Sequence, residues 1–205
     1  MIRICLVGEI ASGKTFVSKH FGYPVFNADQ EVIKIYKNNR NCFKKLNKRF
    51  PNNITNFPIS KKELRKILNK KNIKIISKIV HPYVRHGLNK FLKKNYLKDF
   101  VVLDIPLIIE NNLFKKKDIL IYVKTPKKII LNRLKKRGNY NQKIINVLKS
   151  QQLSINRKIK LSKFIIDNRY EKKRVLKQIK KIKKIINDRS SFRHWNNRFK
   201  GFRRT

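Results

Sequence analysis

Gly8-Glu9-Ile10-Ala11-Ser12-Gly13-Lys14-Thr15 decides how this chain is read, because it fits the pattern G-x-x-x-x-G-K-S/T. The run before it, Ile2-Arg3-Ile4-Cys5-Leu6-Val7, is short, mostly apolar and β-branched, and predicts a buried strand. The run after it, Thr15 to Phe21, carries apolar residues at 16, 17 and 21 and suits a helix. Strand, loop and helix are the context this motif needs. Gly8 and Gly13 let successive backbone N–H groups face inward, and the positive end of the helix completes a cradle for phosphate oxygens. Lys14 reaches the outer phosphates as a point charge, and the Thr15 hydroxyl can ligate a magnesium ion held by ATP. A mere Gly-containing turn would match this pattern by chance in roughly one chain of this size in a hundred.

Outward from the loop, strands and helices alternate. Tyr23 to Asn27 reads as a second strand, and Asp29 falls where it passes into a helix over about 30–37. An Asp at such a junction serves equally well as a helix N-cap. Residues 38–58 are polar and Asn-rich, with a short helix around 42–49. Ser60-Lys61-Lys62-Glu63 is a capping box that opens a helix through about Leu68. Another helix, 73–80, is expected to stop at His81-Pro82, and 83–94 to be helical again. Phe100 to Ile105 is apolar apart from Asp104, as a strand buried on both faces would be. Ile119 to Val123 is a fourth strand, 129–136 a helix with Arg133, 143–155 a further helix, Phe164 to Asn168 a fifth strand, and 171–187 an amphipathic helix. This alternation predicts an α/β fold with a parallel sheet covered by helices on both faces.

At 205 residues the chain is long enough for one α/β domain. No stretch approaches the roughly 20 apolar residues of a membrane span. The first strand begins at once, which leaves no room for a signal peptide, and Cys5 and Cys42 make a poor disulfide framework. A reducing, cytoplasmic setting is the expectation. The four His are scattered and two Cys cannot build a zinc site. The net charge is +43, from 54 Lys+Arg against 11 Asp+Glu. A nucleic-acid footprint would be a patch or stripe, whereas here Lys is spread over every segment. Compositional drift is the better reading, and nucleic acid is not expected as a partner. Against that drift Asp29, Asp104, Glu110 and Asp167 stand out near strand ends, where α/β folds place their chemistry. In the tail, Phe192, Trp195, Phe199 and Phe202 alternate with arginines, a pattern that suits either base stacking or an apolar stripe docked on the domain.

The order of motifs resembles the dephospho-CoA kinase family. The phosphate loop, Ala28-Asp29, Leu64-Arg65, His81-Pro82-Tyr83-Val84-Arg85 and Asp104-Ile105-Pro106-Leu107-Ile108-Ile109-Glu110 carry the likeness. Arg133-Leu134 with Arg137, Gln152, and Ile166-Asp167-Asn168 continue it over about residues 1–187. The resemblance implies a P-loop NTPase fold, three-layer α/β/α with a five-stranded, mainly parallel sheet. It divides the chain into a core (1–37, 100–132 and 160–187), a helical acceptor-binding insertion (about 38–99) and a lid (about 133–159), followed by a basic aromatic tail (188–205). It also implies transfer of the γ-phosphoryl of ATP, with Mg2+, to the ribose 3′-hydroxyl of dephospho-CoA, the last step of coenzyme A synthesis. Residues Gly8, Ala11, Ser12, Gly13, Lys14, Thr15 and Phe16 would wrap the ATP phosphates, with Arg133 and Arg137 as lid arginines. Thr15 and Asp104 would hold the metal. Asp29 would be general base or positioning group, with Lys14 beside it in catalysis. Arg65, His81 and Arg85 would meet the acceptor's anionic groups, and Glu110 would face the acceptor side.

The family's loop usually reads Gly-Gly-Ile-Gly-Ser-Gly-Lys-Ser, so Glu9 and Ala11 replace two glycines. Asn27 stands where a further Asp is common, Ser162-Lys163 replaces Ala-Asp, and Tyr170 replaces Gly. The rival readings are another nucleoside or nucleotide kinase with the same loop, and a basic nucleic-acid-binding ATPase.

Overall fold

Five parallel strands in the order β2-β3-β1-β4-β5 form the sheet. This computed structural model describes residues 1–136, 142–169 and 171–188. The strands are β1 (Ile2–Val7), β2 (Val25–Asn27), β3 (Phe100–Asp104), β4 (Ile119–Lys124) and β5 (Phe164–Asp167). Helix α1 (Lys14–His20) follows β1. Four helices stand between β2 and β3: α2 (Ala28–Asn38), α3 (Arg40–Arg49), α4 (Lys61–Ile67) and α5 (Lys70–Lys94). Then come α6 (Lys127–Lys135), α7 (Gln142–Ser150) and α8 (Ile155–Leu161) between β4 and β5, and α9 (Lys172–Asn187) at the end.

Strand β1 is apolar because both its faces are covered. Ile4 and Leu6 point into a core shared with Val17 and Phe21 of α1 and with Val175, Ile179 and Ile182 of α9. Cys5 and Val7 point the other way, toward Leu88 of α5 and the partly buried Ile159 beyond it. The apolar stripe of α9 therefore packs on the sheet, as its period predicts. Helices α2 to α5 share a core of their own, with Ile35, Cys42, Leu46, Ile67, Ile76 and Val80. Cys5 and Cys42 are both free thiols, in different cores. At the amino end of the sheet Arg3 and Asp118, both buried, form a two-pronged ion pair, with Arg3 Nε 2.8 Å from Asp118 Oδ1.

Two helix boundaries differ from the sequence reading. α5 runs through His81-Pro82 without stopping. Proline there removes one backbone donor and disfavours helix at the residue before it. Yet Ile76 and Val80 are buried on one side of it and Leu88 on the other, so packing at both ends holds the helix together. The expected helix over 143–155 ends at Ser150, and α8, which the sequence reading did not assign, starts at Ile155, where Ser154 takes an extended ψ of 150° and caps it by accepting from the Arg157 N–H.

Candidate active site

The carboxyl ends of the strands gather most of the sequence-selected residues. After β1 the chain takes three positive φ angles, at Gly8 (153°), Ala11 (60°) and Gly13 (91°). A side chain at Gly8 would put its Cβ 2.8 Å from the Val123 carbonyl oxygen, and one at Gly13 would collide with Asn168 Nδ2. Both glycines are thus required by space as well as by φ. Lys14 is buried and folds back over the loop, its Nζ donating to the carbonyls of Gly8 (3.1 Å) and Glu9 (2.9 Å).

The Ser12 carbonyl accepts from three side chains: Asn168 Nδ2 at 2.7 Å, the Thr125 hydroxyl at 2.9 Å and Arg133 at 3.2 Å. Arg133 also reaches the Ala11 carbonyl at 3.3 Å. The loop is thereby clamped from β4, α6 and the end of β5. The Ser12 hydroxyl is buried and has no hydrogen-bond partner among the described residues. A buried orphan hydroxyl on a loop of this motif is what a phosphate oxygen would satisfy. Gly13, Phe16, Arg133, Asn168, Arg169 and Lys172 line a cleft of about 300 Å³ beside the loop.

Asp104, buried at the end of β3, joins the loop to the other half of the site. Its Oδ2 accepts from the Thr15 hydroxyl and from Asn27 Nδ2, both at 2.6 Å. A hydroxyl and a carboxylate oxygen this close form a hard-oxygen pair of the kind Mg2+ takes in part from protein and in part from phosphate. Asn27 uses its other side-chain atom to cap α2, accepting from the Gln30 N–H at 2.8 Å. The N-cap of α2 is therefore Asn27, and the N-cap alternative for Asp29 does not hold: Asp29 lies inside the first turn, exposed.

Asp29 instead lines a cavity of about 230 Å³. Ala28 and Val32 flank it on α2, His81, Val84 and Arg85 face it from α5, and Ile105, Pro106 and Leu107 close it just beyond Asp104. The spacing His81 to Arg85 is one helical turn, which puts both on the same wall. Partial burial, and then the charge of Arg85, hold the His81 imidazole below its ordinary pKa, so it is mostly neutral near pH 7.

Two sequence-selected residues do not reach this cavity. Arg65 sits on the exposed side of α4 and is not part of its lining. Glu110 turns away into a buried contact, its Oε1 accepting from the Leu153 N–H at 2.9 Å and lying 3.3 Å from Lys158 Nζ. Arg137 and the aromatic tail after 188 lie outside the described residues. Conversely, the sequence reading passed over Thr125 and Asn168 as site residues, and gave Asn27 no role. All three end strands, and that position was the available signal.

The family model for dephospho-CoA kinase matches residues 2–173. A dephospho-CoA kinase of Wolbachia pipientis is 33% identical over 191 residues, which is 90% of this chain and 97% of the relative. Among solved structures, the TT1252 protein of Thermus thermophilus superposes with a TM-score of 0.71 at 22% identity, over 92% of this chain and 97% of that one. A dephospho-CoA kinase from Campylobacter jejuni gives 0.61 at 23% identity, over 90% and 96%. At those identities the two structures speak for the fold alone.

Proposed function

The chain belongs to the dephospho-CoA kinase family, and from that premise we propose that it transfers the γ-phosphoryl of ATP to the ribose 3′-hydroxyl of dephospho-CoA, releasing coenzyme A and ADP. The observation that carries this reading is the joint at Asp104. One carboxylate oxygen holds the phosphate loop through Thr15 and, through Asn27, the helix that bears Asp29. Donor and acceptor halves are thus fixed to one buried point, and in-line phosphoryl transfer depends above all on alignment and charge neutralisation.

ATP would sit with its phosphates on the loop amides and the Ser12 hydroxyl. Lys14 would leave the carbonyls of Gly8 and Glu9 for the outer phosphates. Arg133 holds the longest of the three bonds to the Ser12 carbonyl, and a carbonyl has only two lone pairs. On nucleotide binding Arg133 would exchange its carbonyl contacts for the phosphates and stabilise charge in transfer. Arg137 is the second candidate for that closure. Thr15 and Asp104 would hold Mg2+, which neutralises phosphate charge when bound. The acceptor's ribose would enter the cavity beside Asp29, which orients the hydroxyl and takes its proton, with neutral His81 donating and Arg85 supplying charge for the acceptor's anionic groups. Reducing, cytoplasmic work fits two free thiols, and no described helix is long and apolar enough to cross a membrane.

Coupled ADP release by the purified protein tests the reading. Dephospho-CoA should stimulate ADP formation far above a panel of nucleosides and nucleotides. Equal rates across the panel would reject the substrate and leave only a kinase of the same fold.

A further inference from the structure

We propose that Glu110 is a positioning residue that fixes the wall of the acceptor cavity against the helices leaning on the phosphate loop; this rests on the reading of the cavity as the acceptor site. The segment between β3 and β4 faces two ways. Ile105, Pro106, Leu107, Asn111 and Leu113 line the cavity. From the same segment Glu110 turns into the protein, where one oxygen, Oε1, receives both the Leu153 N–H (2.9 Å) and Lys158 Nζ (3.3 Å). Lys158 also donates to Gln152 Oε1 at 3.1 Å. The Lys158 side chain is only 2% exposed and that of Glu110 10%.

Gln152 and Leu153 lie between α7 and α8, and Lys158 is in α8. Leu153 and Ile159 pack with Ile108 and Ile109 of the cavity segment. α7 itself sends Ile145 into a small core with Ile130 and Leu134 of α6 and with Ala11 of the phosphate loop. Glu110, through the bond it accepts from the Leu153 N–H, therefore closes a path from cavity wall to nucleotide loop. A buried ion pair gains little net stability over an apolar pair of the same size, because desolvation offsets the attraction. What fixes the cavity segment is the directed bond that Glu110 accepts from the Leu153 N–H, with Lys158 balancing the buried charge.

The test must separate position from folding. Replacing Glu110 alone strands a buried ammonium, so both partners are changed together. Glu110→Gln with Lys158→Met keeps an oxygen for the Leu153 N–H; Glu110→Leu with Lys158→Met removes the tie. Thermal midpoints, ATP affinity by calorimetry, and kcat and KM for dephospho-CoA are measured for the wild type and both pairs. The expected result is a KM for dephospho-CoA raised about tenfold in the Leu/Met pair, with a smaller change in kcat, and recovery to within about twofold in the Gln/Met pair. If the Leu/Met pair keeps the wild-type KM, or if kinetic losses in both pairs simply follow their thermal midpoints, the proposal is overturned. A wild-type protein that binds ATP but ignores dephospho-CoA would instead sink the substrate reading.

Discussion

Ala11 holds φ at 60°, where its Cβ crowds the following carbonyl, a conformation a glycine takes without cost. The family's usual glycine at this position would relieve it, so Ala11→Gly is expected to raise stability by about 1 kcal/mol, less the extra freedom the glycine gains when unfolded. Urea denaturation reads the difference directly, and no gain would mean the loop has relaxed around the methyl. The Lys14 ammonium and the Asp29 carboxylate carry the chemistry proposed above. Lys14→Ala and Asp29→Asn should each abolish most turnover, about a hundredfold or more, while far-UV dichroism and thermal midpoints stay close to wild type. An Asp29→Asn enzyme running at nearly the normal rate would remove that residue from the mechanism. Asn27 invites a fourth substitution. Its amide donates to Asp104, which an Asp cannot do, and Asn27→Asp would set two carboxylates against each other. Its thermal midpoint without metal should fall, and Mg2+ with ATP should raise that midpoint further than it does in the wild type. Equal metal responses would count against a cation at Asp104.

At the scale of elements, the capping box of α4 was plain in Ser60-Lys61-Lys62-Glu63, and both its reciprocal bonds form. What the sequence did not reveal is that Glu63 also accepts from the Thr55 and Asn56 N–H groups, tying the preceding loop to the cap. Burial alone would raise this carboxyl, but the Ser60 hydroxyl and the N–H groups of Ser60, Asn56 and Thr55 outweigh it and bring it down to about 2 from an ordinary 4.5. A depressed carboxylate stabilises the fold fully above its unfolded value and gives that up as pH falls toward the folded one. Glu63 should therefore contribute stability that drains away between about pH 4.5 and 2. Glu63→Gln is expected to cost about 1–2 kcal/mol at pH 7 and to flatten the acid limb of the stability curve, read from urea midpoints across that range. The contrast with α5 is instructive. Local rules put a stop at His81-Pro82, and they lost to packing on both flanks of the proline, which no local pattern encodes. The five strands were legible because each is a short apolar run closed by Gly, Asn, Asp, Pro or Thr. The α7–α8 break was not, since Ser154 looks like any polar helix residue until its extended backbone is seen.

For the molecule as a whole, the site divides into a legible and an illegible half. The phosphate loop, Asp29 and Asp104 could be picked out because a Gly-rich motif and scarce carboxylates stand out from a Lys-rich background. Thr125 and Asn168 could not, since their work is to hold the Ser12 carbonyl from 113 and 156 residues further along the chain, and only the closed sheet brings them there. The same background shapes behaviour in solution. A net charge of +43 on 205 residues must repel itself, and burying the insertion's core against the sheet does nothing to relieve it. Salt shortens the reach of that repulsion to about 10 Å at 0.1 M and about 3 Å at 1 M. The thermal midpoint should therefore climb as sodium chloride rises from low millimolar levels, while the KM for ATP rises too, because the attraction for a polyanion is screened along with the repulsion. If the charge is drift, RNA will bind weakly, lose its hold steeply with salt and leave ATP turnover unchanged. A nucleic-acid ATPase would instead show turnover stimulated by RNA at physiological salt, and that result would mean the charge was kept for a partner.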